Sequence, residues 1–158
     1  MKRGVLPLSI ILIALFCCGA QASAPYDGGR FPQRENTTRI MSFNIQHGRG
    51  MDGKVNIERI GKVILEVNPE VVGLQEVDSM INRSGNTDII RMLSEQTGMY
   101  ASFGYSILFN GGKYGNGVLT REKPVAVRKI NLPGAEEARS ALIVELKKYI
   151  VVNTHLSL

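Results

Sequence analysis

Val71-Val72-Gly73-Leu74-Gln75-Glu76 is the most informative segment of this chain for its fold. A short and nearly continuous apolar run of this kind is typical of a strand buried on both faces, as in the sheets of α/β proteins. The run stops at a carboxylate, Glu76, so we expect that residue at the carboxyl end of the strand. Functional sites of α/β proteins lie at the carboxyl ends of such strands.

The segments on either side of this run predict a strand, then two helices. Residues 39–45 alternate as a strand does, and residues 47–53 are rich in glycine, as loops are. A second helix is expected from about Thr87 to Thr97, closed by Gly98. Apolar residues also recur at helical spacing before Asn68-Pro69, which predicts the first helix; they are Ile57, Ile60, Val63, Ile64 and Val67.

The rest of the chain predicts strands separated by short turns. The expected strands are Met99 to Phe103, Ser106 to Phe109, Gly117 to Thr120, Val125 to Leu132, Ser140 to Leu146 and Tyr149 to Thr154. Strand, helix, strand and helix followed by a meander indicate a mixed α/β (α+β) domain with more than one sheet.

The N-terminus has the layout of a secretory signal peptide. Lys2 and Arg3 precede an apolar run over residues 5–18, and small residues follow it, so we expect residues 1–24 to be removed after Ala22 or Ala24. The run is shorter than the roughly 20 residues of a membrane span, so an integral membrane protein is not expected. Export to the periplasm or the medium follows, with residues 25–37 as a flexible linker and 38–158 as one domain.

Composition limits the chemistry of any metal site. The two cysteines, Cys17 and Cys18, lie inside the predicted leader, so neither a disulfide nor a thiolate metal site is expected in the mature chain. A metal would therefore be held by oxygen or imidazole. Without Lys2 and Arg3, the 19 basic and 14 acidic residues become 17 and 14, a net charge of +3. That charge is too small to indicate nucleic-acid binding by itself.

Two polar residues are expected to meet at one edge of the sheet. Asn44 lies near the end of the first strand, and Glu76 follows the buried run. A carboxylate beside an amide oxygen suits Mg²⁺ or Mn²⁺, which take few protein oxygens and keep waters that a substrate phosphate displaces. The alternative is that Glu76 is a solvated strand-end residue and Asn44 a turn residue.

Five segments, in order along the chain, resemble the motifs of the endonuclease/exonuclease/phosphatase family. They are Ser42-Phe43-Asn44-Ile45, Val72-Gly73-Leu74-Gln75-Glu76-Val77-Asp78, Tyr114-Gly115-Asn116-Gly117-Val118-Leu119-Thr120-Arg121, Glu137-Ala138-Arg139 and Val152-Asn153-Thr154-His155-Leu156. The second is quite specific. The loop at residues 47–53 further resembles a bacterial branch described as metal-dependent hydrolases. The resemblance implies a four-layer α/β/β/α sandwich.

The resemblance also implies roles for individual residues. Glu76 would be the principal metal ligand, and Asn44 a second ligand or an orienter of the attacking water and phosphate. His155 would contact the phosphate and stabilise its developing charge. Arg139 would supply a bidentate clamp for phosphoryl oxygens, although its sequence context also suits a surface cation.

Four further residues are candidates for substrate binding by the same resemblance. Tyr114 and Asn116 match positions beside the bound phosphate in relatives, but their glycine-rich context also suits a plain turn. Asp78 and Arg83 would line the substrate groove, or would pair with each other on the surface.

The function implied is that of an exported Mg²⁺- or Mn²⁺-dependent phosphoester hydrolase acting on nucleic acid, phospholipid or inositol phosphate, with no stable protein partner. Family members normally continue to Gly-Asp-Phe-Asn-like and Ser-Asp-His-like segments, and neither occurs in this sequence. We therefore expect an N-terminal portion, inactive in this form, that exposes strand edges and apolar sheet surface. The alternative is a non-catalytic remnant that acts as a secreted binding or assembly module.

Overall fold

The computed structural model describes residues 36–133 and 137–156. The predicted leader and residues 25–35 of the predicted linker lie outside the described residues. No helix within the described ranges is long and apolar enough to cross a membrane.

The larger sheet contains the apolar run 71–76 in its second strand. Its strands are β1 (Ile40–Asn44), β2 (Val71–Ile81), β3 (Thr87–Asp88), β4 (Tyr100–Phe109) and β5 (Gly112–Thr120). The strand order is β1-β2-β5-β4, and β3 pairs with the far end of β2. Strand β1 runs parallel to β2, whereas β5 is antiparallel to both β2 and β4. The parallel pairing places the end of β1 beside the residue before Glu76.

Two capped helices cover one face of this sheet. Helix α1 spans Ile57–Val67 and α2 spans Ile89–Thr97. The side chains of Asn56 and Asp88 accept hydrogen bonds from backbone N–H groups in the first turns of α1 and α2. Residues in the left-handed conformation, Asn68 and Gly98, end them. Together with β2 and β5 the helices bury a core that contains Ile57, Ile64, Val72, Leu74, Ile89, Leu93 and Leu119.

A second sheet packs on the other face. It consists of β6 (Ala126–Leu132), β7 (Arg139–Glu145) and β8 (Ile150–Thr154), paired antiparallel in that order. Its inner residues pack against the first sheet in a core that contains Val71, Val118, Leu142, Val144 and Val151. The described residues form three layers in the order α/β/β. The expected mixed α/β domain with more than one sheet is thus confirmed.

Four predicted boundaries need correction. Strand β5 begins at Gly112 and not at Gly117, so Tyr114 and Asn116 lie in a strand and not in a plain turn. Strand β2 continues five residues beyond Glu76, because a register shift against β5 between Leu74 and Val77 accommodates the carboxylate without ending the strand. The two strands predicted between residues 99 and 109 are one strand, β4, with a register shift between Tyr105 and Ile107. Thr87 belongs to β3 rather than to the second helix, which begins only after the capping residue Asp88.

The outer face of the three-stranded sheet exposes apolar side chains. Ile130 on β6 and Val152 on β8 are 51% and 43% exposed, and Leu156 beyond β8 is exposed as well. The expected exposure of apolar sheet surface is therefore found in the described part of the chain.

Candidate active site

The predicted pair of Asn44 and Glu76 is present, where β1 ends beside the register shift of β2. The amide Nδ2 of Asn44 donates a hydrogen bond of 2.7 Å to Oε1 of Glu76. The Asn44 Oδ1 accepts the backbone N–H of Gln46 at 3.1 Å, which fixes the orientation of the amide. Asn44 is exposed and Glu76 is half-buried, so the carboxylate borders solvent.

A local backbone distortion presents the Glu76 carboxylate. Glu76 lies within the register shift of β2 and has φ of 59°, a left-handed value that costs a residue with a side chain roughly 1 kcal/mol. Distortions of this kind persist where surrounding structure holds them, and they cluster at functional sites. The backbone of the preceding residue, Gln75, is also held, because its carbonyl accepts the N–H of Ile45 at 3.1 Å.

The carboxylate of Glu76 is a suitable ligand for a hard divalent cation. Mg²⁺ is commonly bound by only one or two carboxylates, with waters and substrate phosphate as its other ligands. Glu76 keeps one carboxylate oxygen free of the bond to Asn44. Asn44 directs its Nδ2 at Glu76 and its Oδ1 at the N–H of Gln46, so in this arrangement it orients the Glu76 carboxylate. Within residues 36–133 and 137–156, no group of three or more His, Cys, Asp or Glu residues converges.

Arg139 and His155 form a second cluster at the ends of β7 and β8. Arg139 Nη1 lies 3.3 Å from His155 Nδ1, and Arg139 Nη2 forms a 3.0 Å ion pair with Glu137. A guanidinium only donates, so Nδ1 must be the acceptor and the ring proton of neutral His155 must sit on Nε2. Both Nη atoms of Arg139, the expected phosphate-binding residue, therefore already contact protein side chains. The buried Nε of Arg139 has no partner.

Asp78 and Arg83 pair, but not on the surface. Asp78 is fully buried and accepts two hydrogen bonds from Arg83, at 2.9 and 2.8 Å. The guanidinium also lies over the rings of Phe109 and Tyr114, 5.0 and 5.3 Å from their centroids. Direct contact of Asp78 with a substrate groove is thus excluded by burial in this arrangement. Arg83 remains 37% exposed, and Asp78 holds it beside Tyr114.

Tyr114 borders both clusters. Burial, and then the negative charges of Glu76 and Glu137, raise the pKa of the Tyr114 hydroxyl to about 12, while Arg139 and Arg83 oppose the shift. The hydroxyl therefore stays protonated at neutral pH and serves as a hydrogen-bond donor. Tyr114 on β5 lies opposite Asp78 on β2, and Asn116 on the same strand donates to the carbonyl of Ser140, next to Arg139. Strand β5 thus contacts the strands that carry both clusters.

His47, in the loop that follows β1, is influenced by the charges of Arg83, Asp78 and Glu76. Burial lowers its pKa first and the Arg83 charge second, and the carboxylates of Asp78 and Glu76 act against them. The imidazole is therefore neutral at physiological pH. Its backbone lies in the left-handed region with φ of 46°, inside a short 3-10 turn over Gln46–Gly48.

Asn116 does not border solvent. It is 1% exposed, and its Nδ2 donates to the backbone carbonyl of Ser140 at 2.9 Å, next to Arg139 in the chain. Its Oδ1 is buried without a partner. A buried unsatisfied amide oxygen is unfavourable, so this atom is one where a water or a ligand donor would be stabilising.

Two buried amides behind the site had no role in the sequence analysis. Gln75 Nε2 donates to Asn153 Oδ1 at 2.7 Å, and Asn153 Nδ2 donates at 2.8 Å to the carbonyls of both Leu74 and Gly117. The only sequence signal for this network was the position of the two amides, immediately before Glu76 and two residues before His155.

A surface concavity of about 610 Å³ lies elsewhere, between β3 and α2. Its lining includes Asp88, Arg91 and Glu95 but none of the predicted site residues. It therefore has no part in the arrangement described above.

Comparison with known proteins identifies the family of the chain. A model of the Endonuclease/Exonuclease/phosphatase family matches residues 41–157. An endonuclease/exonuclease/phosphatase structure from Beutenbergia cavernae is 26% identical, with a TM-score of 0.62, over 76% of this chain and 38% of that one. A family protein from Leptotrichia buccalis is 18% identical, with a TM-score of 0.59, over 77% and 56% of the two chains.

TDP2 from Caenorhabditis elegans is 20% identical, with a TM-score of 0.57, over 77% of this chain and 35% of that chain. At such identities the Leptotrichia protein and TDP2 show the fold alone. No curated protein matches the sequence. The chain thus spans from about a third to just over half of the length of these structures. The match over residues 41–157 means that the chain belongs to the endonuclease/exonuclease/phosphatase family.

Proposed function

We propose that the chain carries part of the active site of a divalent-metal-dependent phosphoester hydrolase. The observation that carries the proposal is the direct bonding between the strands that carry the site residues. Gln75, next to Glu76, donates to Asn153, two residues before His155, at 2.7 Å. Asn116 donates at 2.9 Å to the carbonyl of Ser140, next to Arg139. One surface thus combines a carboxylate for a cation with an arginine and a histidine for an anion. A phosphoester bound to a metal ion needs both.

Each residue of the site would have a separate role. Glu76 would hold Mg²⁺ or Mn²⁺, with Asn44 keeping the carboxylate in place. A bound divalent ion would polarise the phosphoryl group and favour ionisation of an attacking water. Arg139 holds the Nδ1 of His155, so that Nε2–H is left to donate to a phosphoryl oxygen. Charge that develops on this oxygen would be stabilised by the imidazole and the adjacent guanidinium.

The proposed substrates are molecules that contain a phosphoester bond. Among structures of similar fold, ANGEL2 is described as a 2',3'-cyclic phosphatase and was solved with adenosine-2',3'-vanadate; it is 18% identical and covers 76% of this chain, with a TM-score of 0.55. Nucleic acid, phospholipid and inositol phosphate all present the same phosphoryl group to the cluster. Arg83 and the Tyr114 hydroxyl are the donors best placed to contact the remainder of such a substrate.

The test is substitution of the proposed metal ligand. In the longest natural protein that contains this chain, Glu76→Gln should abolish Mg²⁺- or Mn²⁺-dependent hydrolysis of bis(p-nitrophenyl) phosphate. Glu66→Gln, on an exposed position of α1, is the matched control and should leave hydrolysis unchanged. Full activity of Glu76→Gln would overturn the assignment. A folded parent protein that neither binds Mn²⁺ nor hydrolyses the ester would favour the non-catalytic binding module instead.

We further propose that the protein is exported. The support is the sequence of residues 1–24 alone, with Lys2 and Arg3 before the apolar run. N-terminal sequencing of the protein from its source should find Pro25 or Ser23 as the first residue, in the periplasmic or extracellular fraction. Cytoplasmic protein that retains Met1 would contradict the proposal.

A further inference from the structure

The buried amides Gln75 and Asn153 join the two sheets directly behind the candidate site. We infer that they are a positioning pair, which fixes the strand end carrying Glu76 relative to the strand end carrying His155. The inference rests on the proposed function for its catalytic consequence. Neither amide is placed to touch substrate, since the two residues are 9% and 6% exposed.

Gln75 ties its strand both to β1 in the same sheet and to the second sheet. Its carbonyl accepts the N–H of Ile45, the residue after Asn44, at 3.1 Å. Its side-chain Nε2 donates to Asn153 Oδ1 at 2.7 Å and lies 3.4 Å from the hydroxyl of Ser42. The residue that precedes Glu76 is therefore held by its backbone within the first sheet and by its side chain to the second.

Asn153 makes the corresponding contacts from the second sheet. Its Nδ2 donates to the carbonyls of Leu74 on β2 and Gly117 on β5, each at 2.8 Å. These two residues form the last regular pair before the register shift that contains Glu76. Asn153 thus clamps the two strands where their ladder is interrupted. His155 follows it by two residues.

A glycine makes room for this clamp. A Cβ on Gly73 would lie 3.0 Å from Oδ1 of Asn153 and 3.2 Å from its Cγ. A side chain at that position would require the Asn153 amide to shift by a few tenths of an ångström. The absence of a side chain at Gly73 therefore allows the two amides to approach.

The hydrogen bonds of Gln75 and Asn153 fix the position of one sheet relative to the other, which apolar packing alone does not do. The contact of Val71 and Val118 with Val144 and Leu142 stabilises the sheets face to face but is not directional, so it tolerates small sliding. Hydrogen bonds between buried amides fix a single register, because sliding would leave buried polar groups unpaired. Catalysis is sensitive to such shifts, since a misplacement of about 1 Å costs on the order of a hundredfold in rate.

The experiment uses two independent perturbations in the longest natural protein. Gln75→Met removes the donor to Asn153 at similar volume, and Gly73→Ala displaces the Asn153 amide without altering Gln75. Gln96→Met is the matched control, because it deletes an amide that donates to the carbonyl of Glu58, between the helices. Hydrolysis of bis(p-nitrophenyl) phosphate is measured well below the melting temperature of each variant. Mn²⁺ affinity is measured in parallel by electron paramagnetic resonance.

We expect both site variants to lower kcat about tenfold or more while KM changes by less than about threefold, because positioning acts on the transition state. Mn²⁺ binding should weaken by at least about threefold, as happens when groups behind a metal ligand are removed. Gln96→Met should leave kcat and Mn²⁺ affinity unchanged. Lower melting temperatures with unchanged kcat and Mn²⁺ affinity would overturn the inference and assign the pair a purely structural role.

The outcomes separate this inference from the proposed function. Loss of activity in Glu76→Gln together with full activity and full Mn²⁺ affinity in Gln75→Met would overturn the positioning role alone. A parent protein that binds Mn²⁺ without hydrolysing the ester would overturn the proposed function, and Mn²⁺ affinity would then decide the positioning role. A parent protein with neither property would overturn both.

Discussion

Asn44 and Glu76, separated by 32 residues in sequence, are joined by a hydrogen bond of 2.7 Å at the edge of the central sheet. Asn44 can make this bond because its oxygen is engaged by the N–H of Gln46, which leaves its Nδ2 directed at the carboxylate. The two strands that carry the pair run parallel, with Asn44 opposite Gln75. The amide therefore determines how the proposed metal ligand is presented.

Removal of this amide should impair the metal site without unfolding the protein. Asn44→Ala is expected to lower divalent-metal affinity and turnover by roughly 10- to 100-fold, the usual cost of losing a group that orients a ligand. Stability should change little because Asn44 is exposed. Isothermal titration with Mn²⁺ and steady-state kinetics measure the two effects. Metal affinity equal to that of the parent would show that Glu76 needs no orienting partner.

The buried carboxylate of Asp78 should matter for folding. Asp78→Ala removes two charge-assisted bonds to Arg83 and is expected to cost about 2 kcal/mol in the free energy of unfolding, measured by urea denaturation. The matched control is Asp52→Ala, which breaks the exposed ion pair with Arg59 and should have a much smaller effect. Equal destabilisation by the two substitutions would contradict the importance of burial.

Alkaline pH should destabilise the protein partly through Tyr114. Its pKa is about 12 in the folded state and about 10 in the unfolded state, so the folded state retains the proton over that interval. Stability contributed by this group is present below pH 10 and is lost as the pH rises from about 10 to about 12.

Tyr114→Phe should therefore flatten the fall of the unfolding free energy over that pH interval, as measured by urea titrations at successive pH values. Tyr149→Phe serves as a comparison, because burial also raises the pKa of Tyr149, at a place distant from Glu76. An unchanged slope in Tyr114→Phe would show that the hydroxyl ionises as freely in the folded state as in the unfolded one.

Strands β4 and β5 approach too closely at one glycine for any side chain. A Cβ on Gly115 would lie 2.2 Å from the carbonyl oxygen of Gly104 and 2.6 Å from the Cα of Tyr105. Since these are backbone atoms, Gly115→Ala must separate the strands and is expected to destabilise the protein by about 3 kcal/mol.

The control for this substitution is Gly98→Ala. Its Cβ would meet no atom within 4 Å, and its φ of 69° alone should cost about 1 kcal/mol. Thermal unfolding followed by circular dichroism compares the two variants. A melting temperature for Gly115→Ala at or above that of Gly98→Ala would contradict the close approach of the strands.

Local patterns predicted much of the fold. Helix α1 begins after Asn56 and ends at Val67, where the apolar periodicity and Asn68 had placed its end. Helix α2 ends before Gly98 as expected. These features depend on side chains within a few residues of one another, so a single sequence contains them. The expected proximity of Asn44 and Glu76 also followed from sequence, because the two residues lie on neighbouring parallel strands.

The amino-acid sequence alone predicted most of the elements, the mixed α/β class, the family resemblance and the candidate residues. Tertiary structure alone decided that Glu76 sits in a register shift, that Asp78 is buried with Arg83, that Arg139 fixes the His155 ring, and that Gln75 meets Asn153. The physical reason is distance along the chain. The Gln75 and Asn153 amides are 78 residues apart, and their bond exists only because two sheets pack face to face. No local propensity contains that information.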